Sequence, residues 1–109
     1  MADAEEIKKF LETVKTADEI DIVGTNKNRK TRYELGLTIG DQEEIIRNLE
    51  VHEYISGPEE DHDRTKEGKV WIFKHYYKKE HWLYIKLKEA VIVKNKKKIK
   101  CLSCHIDYM

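Results

Sequence analysis

Apolar residues recur at helical spacing from the start of the chain: Ala4, Ile7, Leu11 and Val14, with Phe10 beside them. Asp3 stands just ahead, placed to accept a hydrogen bond from the first turn, so the pattern predicts a helix over about 3 to 17. Ile20-Asp-Ile22-Val23 alternates and stops at Gly24, the mark of a short strand or extended link, and Thr25 to Lys30 reads as a polar loop. Tyr33, Leu35 and Leu37 lead to Thr38, and Asp41 three residues on completes a capping-box start for a helix from Ile39 to Leu49. Gly57-Pro58 and the charged run through Arg64 predict a loop without regular structure.

From Lys69 onward the period changes from helical to alternating. Segments Val70 to Tyr77, Trp82 to about Val93, and Ile99 to Asp107 read as strands. The turns at Lys78 to His81 and Asn95 to Lys98 are short enough to join antiparallel neighbours. The lysine run between 94 and 100 is then a solvated hairpin tip, with phosphate contact as the alternative use of its charge. The expected class is α+β, with N-terminal helices packed on a C-terminal antiparallel sheet. A chain of 109 residues, 39% of them hydrophobic, has material for one core, so residues 1–109 form a single domain on this reading.

Charge adds an asymmetry that the net value of zero conceals. Residues 1 to 63 hold 8 Lys+Arg against 17 Asp+Glu, a net −9, while residues 64 to 109 hold 13 against 4, a net +9. The helical part is acidic and the sheet part basic, which gives the sheet an attraction for phosphate backbones. Neutralisation of one half by the other across their interface is the plainer use of the same charges. The acidic N-terminus is unlike a basic secretion signal, and no apolar run is long enough to span a bilayer, so a cytoplasmic protein without membrane association is expected.

Strand alternation decides which polar groups can cooperate. Leu83, Ile85 and Leu87 share one face of their strand, leaving Trp82, Tyr84, Lys86 and Lys88 on the other. Leu102, Cys104 and Ile106 set the apolar parity of the last strand, so Ser103 and His105 fall on its polar face. If Trp71 and Phe73 enter the core, Lys74 joins Ser103 and His105 on the polar face. An imidazole, a phenol and ammonium groups together suit phosphodiester cleavage: proton transfer near neutral pH, hydrogen-bond or proton donation, and charge stabilisation. With the RNA 2′-hydroxyl as nucleophile, no metal or cofactor is needed. His105, Tyr84 and Lys86 are the candidate catalytic residues, and Lys74 and Ser103 candidate substrate contacts, to which a family resemblance adds Arg64.

Cys101-Leu-Ser-Cys104-His105 matches the literal haem-attachment pattern. Positions i and i+3 of a regular strand face opposite ways, which argues against a shared haem or metal and predicts a buried Cys104 with a half-exposed Cys101.

These residues carry a resemblance. Leu49 followed by Tyr54, Gly57-Pro58-Glu-Glu-Asp61, Val70-Trp71-Ile72-Phe73, Leu83-Tyr84-Ile85-Lys86 and Leu102-Ser103-Cys104-His105 stand in the order and spacing of small bacterial toxins of the MqsR type, which have the RelE-like fold. The likeness runs from about Leu35 to His105. It implies helices on an antiparallel sheet, metal-free cleavage of mRNA, on or off the ribosome, and neutralisation by an antitoxin protein, one with a helix-turn-helix domain. Tyr84 and Lys86 match the family directly. A Lys and a Gln of the best-known members are replaced here by Ile55 and Ile72, and a late-strand Lys by His105, with Lys74 or Arg64 as sources of the missing positive charge. A non-catalytic RNA- or protein-binding module of the same fold is the alternative, and a purely structural interaction protein a third reading.

Overall fold

A computed structural model describes residues 1–60 and 68–107; Arg64 lies outside them. The first helix, α1 (Ala4–Thr16), is capped by Asp3, whose carboxylate accepts from the Glu6 N–H at 2.9 Å. Its buried stripe is Ile7, Phe10, Leu11 and Val14, while Ala4 faces solvent and Ala2 packs inward in its place. Strand β1 (Glu19–Ile22) follows directly. Its neighbour is the last strand, β5 (Lys96–Ile106), to which it runs parallel, with Ile20 opposite Ile99.

The segment expected as a polar loop is helical instead: α2 spans Asn26–Leu35. Thr25 caps its start by accepting from Asn28 N–H, and Gly36 ends it in the left-handed conformation at φ 67°. The helix lacks an apolar stripe because the residues it buries are polar, Asn28 and Thr31. They serve the edge of β5 that β1 is too short to cover. Asn28 donates from Nδ2 to the carbonyls of Val23 at 2.7 Å and Leu102 at 3.4 Å, and its Oδ1 accepts the Cys104 N–H at 2.9 Å. Thr31 Oγ1 accepts the Ile106 N–H at 2.9 Å. Gln42 donates from Nε2 to the Cys104 carbonyl at 2.9 Å and takes a bond from Arg32 on its oxygen. Side chains thus replace a missing strand, satisfying backbone groups that would be costly to bury unpaired.

Helix α3 (Ile39–Arg47) begins with the expected capping box between Thr38 and Asp41 and ends two residues before Leu49. Thr38 bonds hold the Asp41 carboxyl below the usual carboxylate range. Arg47, at the last turn, donates to the carbonyls of Val14, Lys15 and Ala17 at 3.4, 3.0 and 2.9 Å, closing the C-terminus of α1. Arg47→Ala is expected to lower the unfolding free energy by about 2 kcal/mol, since it orphans helix-end carbonyls that a charged donor now satisfies; urea titration measures it.

A 3₁₀ turn at Val51–Glu53 leads into β2 (Tyr54–Glu60), where the sequence suggests a loop. Gly57-Pro58 is accommodated through register shifts on either side of Ser56 and by lying on an outermost strand, where a missing N–H is tolerated. Gly57 has φ 114°, and a Cβ there would lie 2.6 Å from the Val70 carbonyl oxygen, so the close crossing requires glycine. The Tyr54 hydroxyl donates to the Gly57 carbonyl and locks the same bend.

Strands β3 (Lys69–Tyr77) and β4 (His81–Val93) complete an α+β architecture with one mixed five-stranded sheet in the order β1-β5-β4-β3-β2. The sheet is therefore not wholly antiparallel, and residues 1 to 60, though mainly helical, contribute two of its strands. The β4–β5 turn is centred on Lys94 and Asn95, both at positive φ, so Lys96 to Lys98 belong to the strand and not to the turn. Trp71, Phe73, Leu83, Ile85, Leu87, Ile99 and Ile106 form the inner face beneath α1 and α3. Phe10 stacks on Trp71 with centroids 4.4 Å apart. No helix among the described residues is long and apolar enough to cross a membrane.

Candidate functional site

The helices' buried apolar side chains all join the inner-face cluster, leaving the opposite face of β3, β4 and β5 half-exposed. Register then builds two cross-strand rows on that outer face. Lys74, Tyr84 and His105 stand side by side in one, and Ile72, Lys86 and Ser103 in the next. Antiparallel neighbours come within side-chain reach, so five of the six polar residues assigned to this face by alternation meet on it. Lys88 does not join their surface: it is buried and packs against Gly68. His75 takes the other parity, where Nδ1 meets Glu53 Oε2 at 2.6 Å.

Tyr84 and His105 pair directly, their rings stacked at 5.5 Å with planes 29° apart. His105 Nδ1 lies 3.0 Å from the Ile106 carbonyl oxygen. A carbonyl can only accept, so the neutral imidazole carries its proton on Nδ1 and presents the Nε2 lone pair. Burial raises the Tyr84 phenol above its ordinary value, and the carboxylates of Glu59 and Asp107 push it the same way against Lys74. Tyr84 is accordingly a proton-bearing donor at neutral pH. Lys74 Nζ rests 2.7 Å from Asp107 Oδ2, whereas Lys86 makes no ion pair among the described residues.

Three further residues belong to this face: Asp107, Glu59 and Tyr76. Asp107 continues the alternation of Ser103 and His105, and Tyr76 that of Lys74, so parity carried one step further finds both. Glu59 has no such signal, since it sits beyond the bend at Gly57-Pro58. Tyr76 lies opposite Trp82, with rings stacked at 4.6 Å and 20°. Ile55, Lys74, Trp82, Asp107, His52 and Glu53 line a cleft of about 390 Å³ beside the Lys74–Tyr84–His105 row.

The two cysteines correct an expectation. A bulge moves the β4–β5 register from Lys86 opposite Ser103 to Leu87 opposite Cys101, which turns Cys101 to the inner face with Cys104. Both are free and fully buried. Burial pushes Cys104 up to about 12, and Cys101 well above 9.0 with its neighbour's help. Neutral thiols are poor metal ligands and nucleophiles, and His105 lies on the other side of the sheet. Elsewhere, Glu50, His52 and Glu53 bring ligand atoms within 4.8 Å of one another. Glu53 is already engaged there, by the Glu50 N–H on one oxygen and His75 on the other.

The raised thiols and phenol have a consequence for stability. Each binds its proton more tightly folded than unfolded, so their contribution is complete below the unfolded values near 9.0 and 10.0 and is lost as pH climbs toward the folded ones. For Cys104, the rise from 9.0 to about 12 makes a loss of about 3 kcal/mol by pH about 11. Urea unfolding at pH about 8 and about 11 is expected to show this decline, and Cys104→Ala to reduce it, leaving the part due to Cys101 and Tyr84.

In comparisons with known proteins, no family model, curated protein or solved structure matches the chain.

Proposed function

We propose that the chain is an endoribonuclease that cleaves RNA through the 2′-hydroxyl, acting on the outer face of its sheet. The observation that carries the reading is the cross-strand row of Lys74, Tyr84 and His105 beside Lys86, on the half of the chain with net +9. His105 Nε2 removes the 2′-hydroxyl proton, and O2′ forms a bond to phosphorus as the bond from phosphorus to O5′ breaks. Lys86 and Lys74 stabilise the charge that gathers on the phosphoryl oxygens. Tyr84 protonates the departing O5′, an alkoxide far more basic than a phenolate, and the proton held by His105 returns to the phenol through solvent. The products are a 2′,3′-cyclic phosphate and a 5′-hydroxyl, and no bond in the sequence requires a metal or cofactor.

The ordered resemblance to MqsR-type toxins supports a finer version: a RelE-like mRNA interferase of the cytoplasm, restrained by an antitoxin. A neighbouring small frame encoding a helix-turn-helix protein would add support to that version. The second reading, a non-catalytic binding module, draws on Ile55 and Ile72 where the family has polar side chains, and on Lys74 being held by Asp107. Incubation of the purified chain with RNA, with and without ribosomes, separates the two. New 5′-hydroxyl ends are expected in at least one arm; salt-sensitive binding with no new ends would leave the module.

A further inference from the structure

The cleft beside the Lys74–Tyr84–His105 row has an unusual construction for a charged sheet face. Two of its six lining residues are apolar and well exposed, Ile55 on β2 at 46% and Trp82 on β4 at 50%, and the others are His52, Glu53, Lys74 and Asp107. Lys74 lies on β3 between those two strands, with Asp107 paired to it. Behind Trp82 stands Tyr76, itself 46% exposed and stacked nearly parallel to the indole. Cross-strand aromatic pairs stabilise sheets, but that role does not by itself produce a cleft that sets an exposed indole and an exposed Ile55 beside a charged pair. Two exposed rings on a lysine-bearing surface are costly to leave in water and useful for stacking a flat, polar-edged ligand.

From these observations we infer that the cleft between Ile55 and Trp82 is a nucleobase subsite, in which a base adjoining the scissile phosphate stacks on the Trp82 indole backed by Tyr76. The inference rests on the RNA reading above and adds where the strand is gripped and by what. Position favours it. The Tyr76–Trp82 pair is the next same-face pair after Lys74–Tyr84, two residues along each strand and so about 7 Å away, a distance comparable with the reach from one nucleotide to the next. Size agrees as well, since about 390 Å³ falls at the low end of the ~300–1,000 Å³ typical of small-ligand sites. Chemistry completes the fit: the indole and Ile55 side chain meet the base faces, Asp107 can accept from a base amino group, and the Lys74 ammonium can reach the adjoining phosphate.

The chain has two tryptophans, and Trp71 is 4% exposed in the core, so a ligand-dependent fluorescence change reports Trp82. The probes are 2′-O-methyl RNA hexamers of A, C, G and U, which cannot undergo 2′-hydroxyl attack, carrying a dye for anisotropy. Saturating the native chain with at least one hexamer is expected to quench its emission. Trp82→Ala should weaken that binding about 10-fold or more, while Trp82→Phe, which keeps a stacking face, retains most of it. Circular dichroism confirms that each variant is folded. Anisotropy showing tight binding with no change in emission, or Trp82→Ala binding within about twofold of native, overturns the subsite alone. A native chain that binds none of the hexamers and cleaves no RNA overturns the subsite and the RNA reading together.

Discussion

Replacing His105 by Ala is expected to reduce the rate of RNA cleavage by about 10²- to 10⁴-fold, the usual contribution of a positioned general base, without unfolding the protein. His105 is half-buried on the outer face, and among the described residues its side chain hydrogen-bonds the neighbouring carbonyl, so truncation removes an imidazole rather than a core contact. Tyr84→Phe is the companion substitution. It keeps the ring that stacks on His105 and deletes only the donor, so its loss should appear in kcat with little change in KM. Single-turnover rates at saturating RNA measure both. Native-like cleavage by His105→Ala would move the chemistry to another group.

The second large effect is on stability. Asn28→Ala should cost about 3 kcal/mol, because a fully buried amide now bonds the Val23 and Leu102 carbonyls and the Cys104 N–H, and alanine leaves all three without that partner. Its consequence is local as well as global. The Cys104 and Ile106 amides flank His105, so loosening this edge should speed their hydrogen exchange before the rest of the sheet opens. Thr31→Val should act in the same direction at Ile106 alone, with about half the cost. Chemical denaturation and residue-resolved exchange measure the two scales.

The parts of the fold legible in the sequence are those whose burial is apolar and periodic. Helix α1, the capping box of α3 and most of the alternation of β3 to β5 place hydrophobic side chains where a simple period puts them, with Val70 and Cys101 as exceptions. Helix α2 escapes that logic because Asn28 and Thr31 are buried to bond a strand edge, so its inward side reads as polar loop. Only the cap at Thr25 and the terminator at Gly36 mark it locally. Strand β2 is hidden by Gly57-Pro58, residues that an edge strand tolerates once its register shifts.

The site was more legible than the fold around it. Alternation places Tyr84, Lys86, Lys74, Ser103 and His105 on one face without knowledge of which strands are neighbours, and pairing then brings Lys74, Tyr84 and His105 into a single row. Strict alternation fails at Cys101, where one extra residue in the bulge reverses the side chain's direction. It also carries no information about charge partners. The Lys74–Asp107 pair and the effect of Glu59 on Tyr84 depend on how strand ends and bends meet in space.

Attack by the RNA's own 2′-hydroxyl, driven by groups on this sheet face, would leave its signature in the chemical identity of the cut ends. Mass spectrometry of RNA fragments released by the native chain is predicted to find a 2′,3′-cyclic phosphate on the upstream product and a free hydroxyl on the downstream 5′ end. Fragments ending in a 3′-hydroxyl and beginning with a 5′-phosphate, or cleavage of the same sequence made as DNA, would contradict the account.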